Sequence, residues 1–150
     1  DRGERVVRLL AKPRSSNSLA QDAAPDGSPD SVEVPAAPLD ELLPRGRVAL
    51  LLSHSNGQEL GVLRGARRLL ARSRHSVTVV LQLYGPGSGV VRARDYDPAR
   101  PVRWLAQRGF RVSTARGHRQ NLGSPGAVRR YFAAPGAHQV MNVVAERPRR

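Results

Sequence analysis

The sequence predicts an α+β fold: a two-layer β-α-β-α-β-β sandwich, a four-stranded mixed sheet with two helices on one face, preceded by an extended arm. Three observations predict it. Residues 62–72 sort apolar and cationic side chains onto opposite sides of a helix: at about 100° per residue, Val62, Leu63, Ala66, Leu69 and Leu70 share one stripe, while Arg64, Arg68 and Arg72 recur at i, i+4 and i+8 on the other. Val77, Val79, Leu81 and Leu83 alternate with Thr78, Val80, Gln82 and Tyr84, the period of a strand covered fully on one face and partly on the other. Composition also changes near residue 46, from a proline-rich and slightly acidic segment to a strongly basic one.

Taken in order, Arg5 to Leu10 reads as either a turn or two of helix or an edge strand, stopped by Lys12-Pro13. Residues 15–44 carry Pro25, Pro29, Pro35, Pro38 and Pro44 among Ser, Asp and Ala, so residues 1–46 are expected to be an extended arm, disordered in the free protein. Arg47 to Ser53 is a short apolar strand, and His54-Ser55-Asn56-Gly57 turns the chain into a helix from Gln58 to Ser73. The second strand ends near Tyr84 in the loop Gly85 to Gly89. Asp97-Pro98 opens a second helix, Val102, Leu105 and Ala106 form its apolar stripe, and Gly109 closes it. Phe110 to Ala115 and Gln139 to Ala145 are the last two strands. They flank a basic, Gly/Pro-punctuated insertion, residues 117–136, with a turn at Ala127 to Phe132. The expected domain is therefore 47–150.

Charge narrows the function. The chain has a formal charge of +13, and residues 47–150 hold 19 basic against four acidic residues. On about 104 residues, a field of that size favours RNA, DNA or an anionic surface, without specifying sequence. Its concentration on one helix face favours nucleic acid. Arg64, Arg68 and Arg72, about 6 Å apart on a helix, match the spacing of successive phosphates, and Arg67 lies beside them. The longest apolar run, Val48 to Leu52, is far short of a membrane span. With no cysteine there is no disulfide, thiolate nucleophile or cysteine-held metal. The chain starts at Asp1, consistent with a removed targeting segment or an internal start.

Other motifs carry less. His54 with Ser55, His75 with Ser76, and Asp95 or Asp97 invite a hydrolase triad, but no serine sits on a Gly-x-Ser-x-Gly elbow. Four histidines without paired spacing do not make a metal site. The Gly85–Gly89 loop lacks the Lys-Ser/Thr of a nucleotide-binding loop. Gly123-Ser124-Pro125-Gly126 has the outline of the clamp in KH domains, but Pro125 removes a donor and no basic residue lies between the glycines, so it reads as a turn. Trp104, Tyr84, Tyr96, Tyr131 and Phe132 are the stacking candidates, too few for a broad aromatic platform. Recognition is therefore expected to be arginine on phosphate, reading RNA shape.

Leu63-Arg64-Gly65-Ala66-Arg67-Arg68-Leu69-Leu70, Val77-Thr78-Val79-Val80-Leu81-Gln82-Leu83-Tyr84-Gly85 and His138-Gln139-Val140-Met141-Asn142-Val143-Val144-Ala145 resemble three segments of the C-terminal domain of bacterial and organellar translation initiation factor three. They correspond to its first helix, its second strand and its final strand. The resemblance covers residues 47–85 well, 137–148 fairly, and the middle by pattern alone. It implies the fold above and a non-enzymatic protein, without cofactor, metal or small-molecule substrate. Its partners would be small-subunit ribosomal RNA and neighbouring ribosomal proteins. Arg64 and Arg68 match the family's RNA-facing arginines. Where the family has Gly-Arg-Glu after the second strand, this chain has Gly85-Pro86-Gly87, with Arg92 and Arg94 downstream as substitutes. His138 replaces the arginine that opens the last strand, and Arg147 begins the basic tail. The implied role is a mitochondrial initiation-factor-three-like protein that blocks premature subunit joining. Its rival is a structural protein or assembly factor of the mitochondrial small subunit, with an RNA-acting enzyme more distant. The implied compartment is the mitochondrial matrix, with the bacterial cytoplasm as alternative.

Overall fold

The computed structural model describes residues 5–10, 18–19, 31–73, 77–85, 88, 96–115, 119–134 and 139–147. In the arm, strands β1 (Arg5–Leu10), β2 (Ser18–Leu19) and β3 (Ser31–Ala36) pair antiparallel in the order β2-β1-β3. The register runs from Arg5 opposite Ala36 to Leu10 opposite Ser31. The described parts of the arm are thus extended but mutually paired, whereas the sequence predicts disorder. The valine-rich stretches in β1 and β3 favour strand backbone, and their partnership across the intervening residues leaves no local signal. Pro35 is accommodated because β3 is an edge strand.

The principal sheet has four strands, β4 (Leu50–Ser53), β5 (Thr78–Tyr84), β6 (Arg111–Thr114) and β7 (Val140–Glu146), in the order β4-β5-β7-β6. β4 and β5 are parallel; β7 is antiparallel to both β5 and β6. The fold is therefore α+β with a mixed four-stranded sheet, and the helices pack against the side chains that alternate inward. Val79, Leu81 and Leu83 from β5 meet Met141, Val143 and Ala145 from β7 in one buried cluster with Leu63, Ala66, Leu70, Val102 and Leu105 from the helices.

The first predicted helix is two. α2 (Glu59–Gly65) ends and α3 (Arg67–Arg72) begins at Ala66, whose φ of −103° and ψ of 11° lie outside the helical well. The cause is 26 residues upstream. α1 (Leu39–Leu42) packs against α2 and α3, and its Asp40 carboxylate accepts the amides of Arg68 (2.9 Å) and Leu69 (2.7 Å). First-turn amides have no carbonyl in their own helix, so Asp40 caps α3 from another segment. A Cβ on Gly65 would stand 3.4 Å from the Pro38 Cα, an ordinary van der Waals contact, so the two segments lie directly side by side here. Residues before Arg47 thus pack on the helices of the basic region.

α4 (Ala99–Ala106) follows Asp97, whose Oδ1 accepts the Ala99 amide at 2.9 Å. It ends at Gly109, with φ +79°, where Gly109 donates to Ala106 O and Phe110 to Leu105 O. This paired ending needs a left-handed residue, which glycine adopts freely. The insertion holds a further helix, α5 (Pro125–Ala133), where the sequence predicts one turn. Ser124 Oγ accepts the Ala127 amide at 3.3 Å and Pro125 occupies the first turn. The apparent KH-like clamp is thus the start of this helix. α5 packs on α4 and brings Phe132 against Gly85, where a Cβ would stand 2.9 Å from the ring.

Candidate nucleic-acid interface

The arginines predicted to bind RNA separate into two groups. Arg64, Arg67 and Arg68 are exposed on α2 and α3, opposite the buried Leu63, Ala66 and Leu70. Their guanidinium groups have no hydrogen-bond or ion-pair partner among the described residues. Arg72 instead donates from Nη2 to Leu43 O at 2.9 Å and from Nε to Gly46 O at 3.3 Å. It ties α3 to the residues that follow α1, so the three-rung ladder loses a rung. Arg147 is likewise turned inward: Nη1 donates to Leu70 O at 3.1 Å, and its guanidinium carbon lies 4.5 Å from the Phe110 ring centre. Both guanidinium groups are thus engaged within the fold, which the spacing in the sequence does not show. A cation near a helix end can serve carbonyls as readily as phosphates, and spacing alone does not choose. Arg92, Arg94 and His138 lie outside the described residues.

Among the described residues no carboxylate forms an ion pair with the first group. Asp40 is bound to backbone amides, and Asp97 holds the Ala99 amide and lies 3.6 Å from Arg129. Glu146 pairs with Arg119 at 3.3 Å. Glu59 is completely buried at the start of α2, where its Oε1 gathers the Ser55 amide and hydroxyl and the Gly57 amide. Its Oε2 has no partner among the described residues. The carboxylate thereby folds the loop after β4 around itself, with Asn56 (φ 50°) and Gly57 (φ 101°) both left-handed.

That loop delivers a polar network which sequence reasoning missed. The Tyr84 hydroxyl, at the end of β5, lies 2.8 Å from Gln82 Oε1, 2.9 Å from Asn56 Oδ1 and 2.6 Å from His54 Nε2. Gln82 Nε2 donates to Asn142 Oδ1 across the β5–β7 pair at 3.2 Å. The alternation in β5 already sets Gln82 and Tyr84 outward, but the partnership with Asn142 depends on a register that sequence does not display. Burial raises the Tyr84 phenol above its usual range, and the nearby Glu59 charge adds to the effect. Burial does the same more strongly to Tyr96, whose hydroxyl accepts the Tyr84 amide at 3.1 Å. The network is well hydrogen-bonded, and no serine hydroxyl in it is bonded to the histidine.

Of the stacking candidates, Trp104 is nearly buried beneath Arg108, whose guanidinium carbon is 3.8 Å from the ring centre. Tyr131 and Phe132 meet edge to face and, partly buried, pack against the core. Among the described residues no three His, Asp or Glu side chains come together as a metal site, and no helix is long and apolar enough to cross a membrane.

No protein-family model, curated protein or solved structure matches the chain. The class defined by fold and surface is an α+β sandwich with a basic helix layer.

Proposed function

We propose that the domain binds RNA without catalysing a reaction, with Arg64, Arg67 and Arg68 engaging phosphates. The reading extends to small-subunit ribosomal RNA and to the role suggested by the resemblance to initiation factor three. Bound through its basic helix layer, the domain would hinder joining of the large subunit in mitochondria. The observation that carries RNA binding is the set of three exposed guanidinium groups without a local partner, on a helix pair whose opposite side is core. Solvated cations on one rigid face provide charge-assisted, often bidentate, phosphate contacts.

The test is an Arg64→Gln, Arg67→Gln, Arg68→Gln triple variant titrated with small-subunit RNA across a salt series. Each lost phosphate contact should flatten the log–log salt slope by about 0.7–0.9, so the triple change should remove roughly two to three units while thermal unfolding stays close to wild type. An unchanged slope in the folded variant refutes the assignment. Release from purified subunits in moderate salt marks a cycling factor; retention through high salt marks a resident protein of the subunit.

A further inference from the structure

The helices cover one face of the sheet, and the other presents an ordered set of side chains. Reading across strands by register, one row on this open face is Leu52, Val80 and Val144, continued by Ser113 on the edge. Leu52 is 66% exposed, and Leu50 beside it 57%. On one side of this aliphatic row lies the Gln82–Asn142 amide pair, already joined by a hydrogen bond and braced by Tyr84. On the other side lies a row containing Thr78, Glu146 and Arg111. Glu146 is paired with Arg119, while the exposed Arg111 has no partner among the described residues.

We infer that this open face is a second RNA-contact site, which takes an unpaired nucleotide with its base over Val80 and Val144, its hydrogen-bonding edge at Gln82 and Asn142, and its phosphate at Arg111. The inference rests on the RNA-binding reading above and deepens it. Successive rows are about 6.6 Å apart and neighbouring strands about 4.8 Å. The sequence of rows, neutral amides, aliphatic surface and cation, repeats the sequence of parts in a nucleotide: edge, ring and phosphate. Amides suit this edge because they both donate and accept. Gln82 donates one amide hydrogen to Asn142 and accepts from Tyr84, and the Asn142 NH₂ has no partner among the described residues. A base paired in a duplex has its edge occupied, so the site selects single strands. The platform is aliphatic, because the tyrosine that β5 contributes to this face, Tyr84, is buried.

The experiment uses the full chain and two probes, a fluorescent single-stranded RNA 12-mer and a blunt RNA duplex of equal length. Gln82→Ala with Asn142→Ala should weaken the single strand about tenfold, as expected for loss of two neutral hydrogen bonds, while leaving its salt slope and the duplex affinity unchanged. Arg111→Gln should flatten the single-strand slope by about 0.7. Undiminished single-strand binding by the double variant, with the helix-layer triple variant still impaired, overturns this site and leaves the RNA-binding reading standing. Binding of neither probe by the wild type removes both. If the double variant fails to fold, the decision passes to photocrosslinking of wild type with 4-thiouridine RNA. Adducts on the peptides carrying Gln82 or Asn142 support the site, and adducts confined to α2 and α3 overturn it. A wild-type dimer that Leu52→Glu converts to monomer, with RNA affinity unaltered, would make the face an interface between copies and also overturn the proposal.

Discussion

Replacing Asp40 by alanine should make the protein less stable and its grip on RNA tighter. The carboxylate accepts two amides of the first turn of α3, those of Arg68 and Leu69, at 2.9 and 2.7 Å. Losing a capping side chain costs about 0.5–2 kcal/mol, and removing a negative charge from a helix N-terminus adds about 0.3–1 kcal/mol. A total near 2 kcal/mol follows, about 8–10 °C in melting temperature for a domain of this size. Asp40→Asn keeps an acceptor but not the charge or the second carboxylate oxygen, so it should lose about half as much. The same carboxylate is a negative charge held at the start of α3, the helix that carries Arg67 and Arg68. Under water-like screening, a unit charge in the same turn is worth roughly 0.5 kcal/mol to a bound phosphate, so its removal should give about a twofold gain in affinity at low salt. Chemical denaturation and RNA titration of the three proteins test both signs. Asp40→Ala as stable as wild type would refute the remote cap, and with it the account of the break at Ala66; weaker RNA binding in a folded variant would refute the electrostatic half.

Arg72→Gln should destabilise the domain by about 1–2 kcal/mol, since it removes charge-assisted bonds to two backbone carbonyls, yet leave the salt slope of RNA binding intact. Urea denaturation beside the salt series reads both, and a flattened slope would return Arg72 to the phosphate-binding set. Alkaline pH provides an independent probe of the Tyr84–Tyr96 cluster. Both phenols hold their protons more tightly in the folded state than in the unfolded chain, so their contribution to stability is fully present below about pH 10 and fades as pH rises through their folded values. Ultraviolet titration should show these two phenolates appearing together with unfolding; if both ionise at about pH 10 with the fold intact, the burial argument fails.

Sequence displayed what depends on neighbours along the chain. The Val77–Tyr84 alternation and the Leu63, Ala66 and Leu70 stripe follow from backbone periodicity, and both correspond to buried faces. Asp97 and Gly109 marked the limits of α4 because capping is local. What stayed hidden was action at a distance. Asp40 interrupts a helix 28 residues downstream of it. Gln82 meets Asn142 only once β5 and β7 are in register. α5 was obscured by the glycines and prolines around it, though Ser124 and Pro125 form a recognisable helix start.

The basic charge illustrates the same limit with a functional consequence. Arg72, Arg108 and Arg147 donate to Leu43 and Gly46, Trp104 and Leu70, all backbone carbonyls at or near helix ends. In a sequence count these residues are indistinguishable from Arg64, Arg67 and Arg68, whose side chains point to solvent. A guanidinium that already donates to a carbonyl must give up that bond, or share it, to meet a phosphate, and its loss on mutation is then felt mainly as instability. On the proposed function, therefore, Arg64, Arg67 and Arg68 have free guanidinium groups to offer a phosphate, whereas Arg72 would give up a bond to do so. For the proposed RNA partner, net charge would govern how strongly it is drawn toward the domain from a distance; which arginines remain free once the helices are capped would govern where it is held.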